Sequence, residues 1–457
     1  MREATLTHDP ADPGPGAQKK NEVLMNSVEA NLVDTTARSA NAPTLALPVA
    51  AAAGIEAWHV ESPVVPMIAL AFTFEGGAAQ DPEGKGGVAQ MLARLLDEGA
   101  GDLSSDAFQE RLAARAIELS FHAGADAVGG SLKMLVKHAD EAIDLLALAL
   151  AKPRFDPDAI ERVRAQTLAG LRYQQNDPGV MASRRFFAEA YAGHPYARPS
   201  SGTPESIAAI TRDDLVAMHR QIIGRGGLKV AAVGAIDADR LADALNRAFG
   251  VLDEAGPLNA VPQTQVGQLG RRVVVDIDVP QSVLRFGMGG VPWKDPDFIP
   301  AYVLNHILGG GSFTSRLFQE VREKRGLAYS VGTSLVSHRA SAMTWGYTAT
   351  KNERVGEALS VIGDEIGRLI SDGPSDEELQ KAKDYLTGSY ALGFDTSTKI
   401  AHQLVQISFE GLGMDYFARR NEMVTNVTQA DIRRAGARTF ADGKMLVVAA
   451  GRPTDFL

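Results

Sequence analysis

Alternation of apolar and polar positions organises the chain into strands and helices with sharp ends. Gly54 to Glu61 and Met67 to Glu75 alternate with a period of two and read as paired strands joined by a Pro63/Pro66 turn. The glycine-rich approach Gly84-Lys85-Gly86-Gly87 opens a helix from Val88 to Asp97. Ser104-Ser105-Asp106 caps a second helix through Ala116. Ile117–Ala123 and Ala127–Val136 read as strands turning at Gly124 and Asp126. Helical periods then cover 138–151, 157–175 and 178–192, Thr211 starts another helix, and Leu228–Val233 has the continuous apolar character of a buried strand. Leu252 to Gly270 holds Pro257, Pro262 and polar residues and reads as a linker.

After that linker the pattern restarts. Pro66 and Asp81-Pro82 recur as Pro280 and Asp295-Pro296, 214 residues on; Pro157 and Thr211 recur as Pro374 and Thr428, 217 residues on. One domain type is therefore used twice. Hairpin-like strands with helices in runs favour a mostly antiparallel sheet packed with helices, an α+β class. The expected organisation is a tail over 1–42 rich in Asp, Pro and Gly and disordered, one domain over 43–251, the linker over 252–270, and a second domain over 271–457.

Within the second copy, Leu304 to Val331 carries the most specific pattern. An apolar helical run ends in Gly309-Gly310-Gly311-Ser312. A second amphipathic helix is expected with Phe313, Leu317, Phe318 and Val321 on one face, ending in Arg322-Glu323-Lys324-Arg325 and stopped by Gly326. Leu327, Tyr329 and Val331 then share one face of a strand. Arg322 and Tyr329 point into one space on this reading.

The run LGGGSFTSRLFQEVREKRGLAYSV resembles the C-terminal half of the pitrilysin-type inverted zincin peptidases, which include insulysin and the mitochondrial processing peptidase. The resemblance implies two related domains per chain and complexes that close like a clamshell. It also implies that Arg322 and Tyr329 bind the substrate carbonyl beside a zinc ion, with Gly309, Gly310, Gly311 and Ser312 as a flexible substrate-binding loop. Zinc-binding members carry H-x-x-E-H on the first long helix, two histidines holding the metal and the glutamate activating water. Here those positions fall on Gln90, Ala93 and Arg94, and the third ligand falls near Gly170. Alanine takes no proton, and none of the four is a normal zinc ligand. No cofactor is expected in this chain. His59, His122, His138, His194, His219, His306, His338 and His402 are scattered and form no H-x-x-x-H pair, and no G-x-S-x-G marks a nucleophile.

Composition narrows the partners. The 457 residues have a net charge of −10 without a basic stripe, which excludes nucleic acid and anionic membrane as expected partners. There is no cysteine, so neither disulfides nor thiolate metal sites are available. No apolar run reaches membrane-spanning length, and the start lacks a signal-peptide pattern, so the chain reads as cytoplasmic as written, or periplasmic if its start lies elsewhere. The expectation is a zinc-less subunit of a heteromeric zinc metallopeptidase, inactive alone. It would pair as a heterodimer, or a dimer of heterodimers, with a homologous zinc-bearing subunit and act on peptide or unfolded protein. An inert scaffold, like the respiratory-complex core proteins, and a peptide-binding protein of the same fold stand as alternatives.

Overall fold

The computed structural model describes residues 47–51 and 54–456; the expected tail over 1–42 lies outside them. Two sheets of nearly identical topology organise the molecule. The first contains β1 (Leu47–Ala50), β2 (Glu56–Glu61), β3 (Met67–Glu75), β4 (Glu118–Ala123), β5 (Ala127–Leu135) and β6 (Lys229–Gly234), in the order β1-β2-β6-β3-β5-β4. The second contains β7 (Arg272–Val275), β8 (Gln281–Gly289), β9 (Ala328–His338), β10 (Ser341–Lys351) and β11 (Leu446–Ala450), in the order β7-β11-β8-β10-β9. Without the edge strand β1, one order maps onto the other strand by strand.

Each sheet is antiparallel except for one parallel pair, β2 with β6 and β7 with β11. This corrects the expected β2–β3 hairpin. The two strands share a sheet, but β6 lies between them. The reason lies in β3, whose seven central residues are all buried. A strand buried on both faces sits centrally and needs hydrogen-bonding neighbours on both edges, which β5 and β6 supply.

The helices that matter for the site are α1 (Val88–Leu95), α2 (Pro157–Gln174), α3 (Pro178–Ala190), α4 (Phe298–Asn305) and α5 (Ser397–Phe409). Repeated signals do the same work in both halves. Thr211 and Thr428 each form a capping box, with Asp214 and Asp431 returning the hydrogen bond.

The halves also exchange helices. From the first half, α3 packs on β8 and β11; from the second, α5 packs on β3 and β6. Phe186 of α3 is fully buried, and a Cβ at Gly287 would come within 2.4 Å of its ring, so only glycine lets the helix seat there. On the other side Leu404 and Val405 lie against Ala69, Ala71, Ala231 and Val233. Small residues on the sheet again allow the close approach. Residues 253–268 connect the halves without regular structure but not loosely. Gly256, Thr264 and Gly267 each donate a backbone hydrogen bond, to Arg220, Ala340 and Ala190 respectively.

Candidate functional site

The positions where a zinc site would be expected are met first. Gln90, Ala93 and Arg94 lie on α1, which packs against α2, where Gly170 sits. Gln90 Nε2 donates to the Ala123 carbonyl at 3.3 Å, and Arg94 Nη1 to Thr167 Oγ1 at 3.1 Å. Ala93 is buried, while Gly170 is exposed with nothing within 4 Å of an added Cβ. A guanidinium, an amide and two residues without side-chain donors do not make a zinc site. Among the described residues no group of three or more His, Cys, Asp or Glu is placed to hold a metal.

Above α1, Asp81 accepts from the backbone N–H groups of Gly87 and Ala89 at 2.7 and 2.9 Å, capping the helix. Burial pushes its carboxyl up to about 6.

In the second half α4 widens into a π-helical turn over His306–Gly310, closed by Gly311 N–H donating to His306 O at 2.8 Å. Such wide turns are frequent at functional sites. Each glycine here has a packing reason. A Cβ on Gly309 would meet Thr333 Oγ1 at 2.6 Å, and one on Gly310 would meet Asn305 Nδ2 at 2.6 Å. A Cβ on Gly311 would meet the His306 carbonyl oxygen at 2.7 Å. The loop is thus closely packed underneath, while Gly310 and Ser312 face outward. Ser312 takes φ +48°, which costs a non-glycine residue about 1 kcal/mol or more.

The second amphipathic helix starts later than its pattern predicts. Ser312–Thr314 form a tight 3₁₀ turn, so Phe313 is not on the buried face with Leu317 and Val321; it is 67% exposed. Its ring instead meets Phe318 edge-on at 4.9 Å. The following segment, Phe318–Glu323, is again π-helical. Arg316 anchors its start through a two-pronged pair with Glu378, Nε to Oε1 at 2.7 Å and Nη2 to Oε2 at 2.8 Å. That guanidinium holds the Glu378 carboxyl down at about 2.

The basic cluster at the helix end divides in two. Lys324 and Arg325 both pair with Glu320. Among the described residues Arg322 has Glu323 at 3.5 Å as its one carboxylate and lies over two rings, 4.6 Å from the Phe318 centroid and 4.9 Å from that of Tyr329. The structure thus brings Arg322 and Tyr329 together.

Tyr329 is oriented by a device that alternation does not reveal. Leu327, Tyr329 and Val331 do not share a face: Leu327 and Val331 are buried, whereas Tyr329 is 83% exposed. The pairing of β9 with β10 shifts register here, Val331 opposing Thr348 and Ala328 opposing Thr350. One extra β9 residue is accommodated, and Tyr329 and Ser330 both turn outward. A bulge of this kind re-aims a side chain. Its partner strand contributes hydroxyls, Thr348 Oγ1 donating to Ser330 O at 3.0 Å and Thr350 Oγ1 to Leu327 O at 2.6 Å.

Sequence reading also missed the support behind the glycines. Asn305 and Thr333 are buried beneath Gly309, with Asn305 Nδ2 reaching Thr333 O at 3.4 Å. His306 is buried and stacks on Tyr385 at 5.0 Å, burial holding it below the usual histidine range.

Two family models match the chain, one described as insulinase (peptidase family M16) over 59–204 and one as peptidase M16 inactive domain over 209–386. The chain belongs to the M16 peptidase family. This M16 chain is 29% identical over 366 residues to the non-peptidase homolog YmxG of Helicobacter pylori, covering 78% of the chain and 83% of that protein. It is 21% identical to an uncharacterized zinc protease of Rickettsia felis, covering 85% and 93%. In three dimensions it is similar to a crystal structure of a peptidase M16 inactive domain from Pseudomonas fluorescens. That match has a TM-score of 0.81 and 27% identity and covers 89% of this chain and 97% of that one. No helix among the described residues is long and apolar enough to cross a membrane.

Proposed function

We propose that the chain is the zinc-less subunit of a two-component M16 metallopeptidase and completes the active site of a homologous zinc-bearing subunit in trans. The observation that carries this reading is the Arg322–Tyr329 pair: an 83% exposed phenol under a guanidinium that, among the described residues, has no carboxylate nearer than Glu323 at 3.5 Å. An inert scaffold has no use for an exposed ring turned out by a bulge.

The chemistry of the pair is donation. Arg322 offers N–H groups to the backbone of an extended peptide, holding it in register. Tyr329 offers its hydroxyl to the scissile carbonyl oxygen, whose negative charge grows in the transition state. Gly310 and Ser312 let the peptide backbone lie close to the loop. The metal and the water-activating carboxylate belong to the partner's H-x-x-E-H helix, because Gln90, Ala93, Arg94 and Gly170 fit neither role. In this reading residues 43–251 dock, 252–270 link, and 271–457 carry the pair.

The test mixes purified subunits on an unstructured fluorogenic peptide. The chain alone is inactive, and the zinc-bearing homologue gains activity when it is added. A homologue equally active without this chain would remove the proposal and favour the scaffold.

A further inference from the structure

A second site lies at the seam between the halves, away from the Arg322–Tyr329 pair. A cavity of about 490 Å³ opens beside α3, within the roughly 300–1,000 Å³ typical of small-ligand pockets. Arg184 and Arg198 enter it from the first half and Arg285 from the second, while Asp177 is the one carboxylate on its lining. Ala78, Ala125 and Phe187 give it an apolar floor.

The three guanidiniums are only partly compensated by the protein, with Asp81 near Arg198 and Asp177 near Arg285. The Arg184 side chain has no ion pair or hydrogen bond among the described residues, and its Nη2 is shut off from solvent without a partner. Arg198 directs Nη1 and Nη2 to the carbonyls of Asp81 and Ala79 at 2.8 and 3.1 Å and leaves Nε unpartnered. Arg285 donates to Ser183 Oγ at 2.9 Å and to Leu284 O at 3.0 Å, and lies over Trp345 at 5.4 Å. Burial pulls Arg285 below the usual arginine range, with Asp177 opposing. Asp177 is itself engaged, accepting from Val180 N–H at 2.9 Å as the cap of α3. Three guanidiniums against two nearby carboxylates leave the cavity positive, and an anion entering it would pair with the remaining charge.

The shape narrows the anion. A bare inorganic ion fills only a fraction of this volume and leaves the apolar floor uncovered. A carboxylate matches the guanidinium fork, and the carbon chain attached to it covers the floor. We propose that this cavity binds a carboxylate carried on a peptide, at its C-terminus or on an acidic side chain, and so anchors substrate at a distance from the point of cleavage. The peptide character of the ligand rests on the proposed function; the anion site itself rests on the arginines.

Calorimetry on the full chain, without any partner subunit, separates the two. The probes are N-acetylated penta-alanine with a free C-terminal carboxylate, its amide, an amidated analogue with one central glutamate, and inorganic phosphate. At least one carboxylate-bearing peptide is expected to bind tenfold or more tightly than the plain amide. Arg184→Gln should weaken that binding at least tenfold without lowering Tm, since Arg184 makes no bond to lose. Arg285→Lys, which keeps charge but loses the fork, should weaken it as well. The two carboxylate probes distinguish a chain terminus from an acidic side chain. Equal binding of acid and amide, or unchanged affinity in both variants, would overturn the site. Phosphate binding as tight as the peptides would overturn the peptide assignment, whereas the mixing assay alone decides the proposed function.

Discussion

The α1–α2 pair of the first half and the glycine turn, π-helical segment and bulged strand of the second stand on the same repeated sheet, yet they treat their polar groups in opposite ways. In the first half the positions where a metal site would be expected carry no free chemistry: Gln90 serves a carbonyl, Arg94, though exposed, serves Thr167, Ala93 is packed away, and Gly170 faces open space. In the second half Arg322 is left nearly unpaired and Tyr329 is turned to solvent. The shared strand order therefore says little about activity. What separates the halves is local irregularity, two π-helical turns and one register shift, which cost regular hydrogen bonding and gain side-chain direction.

Glycine substitutions should break the comparison most forcefully. Gly309→Val forces a side chain against Thr333 and should destabilise the fold by about 3 kcal/mol, read by urea unfolding. Gly170→Ala, in an exposed helix interior with open space around it, should stabilise by about 0.5–1 kcal/mol.

The two arginines sharpen the contrast in kinetics. Arg322→Ala in the assembled complex should raise KM roughly tenfold while leaving the unfolding midpoint nearly unchanged. Arg94→Ala should do the reverse, leaving KM alone and costing about 1 kcal/mol for the lost bond to buried Thr167.

The smallest effect concerns pH. Because the folded Glu378 carboxyl lies at about 2 against an ordinary 4.5, its pairing with Arg316 stabilises the fold above pH 4.5. That stability is lost as pH falls from about 4.5 through about 2. Glu378→Gln should therefore flatten the acid limb of the stability profile, and an unchanged limb would show that the pair does not anchor the loop.

Much of this contrast was legible in the chain itself. Caps such as Ser104, Thr211 and Thr428 act within four residues, so helix starts could be read locally. The Gln90, Ala93 and Arg94 substitutions were equally visible, because a missing ligand is a matter of residue type. Pairing of β2 with β6 was not, since strands some 170 residues apart leave no local trace. Nor was the outward turn of Tyr329, because a bulge depends on the register of β10 as well as on β9. The 3₁₀ turn Ser312–Thr314 displaced Phe313 for a related reason: a period of 3.6 assumes the ordinary helical bond, and this turn does not make it. The arginine cavity joins residues more than 100 positions apart and becomes visible only once α3 crosses to the second sheet.

The most direct test of the central claim is Tyr329→Phe in the complex with a zinc-bearing homologue. The substitution deletes one hydroxyl on an exposed ring and leaves the ring under Arg322, so assembly and Tm should match the wild type. The account predicts a fall in kcat of roughly 10²-fold or more with KM little changed. A complex that assembles normally and cleaves at the wild-type rate would contradict it.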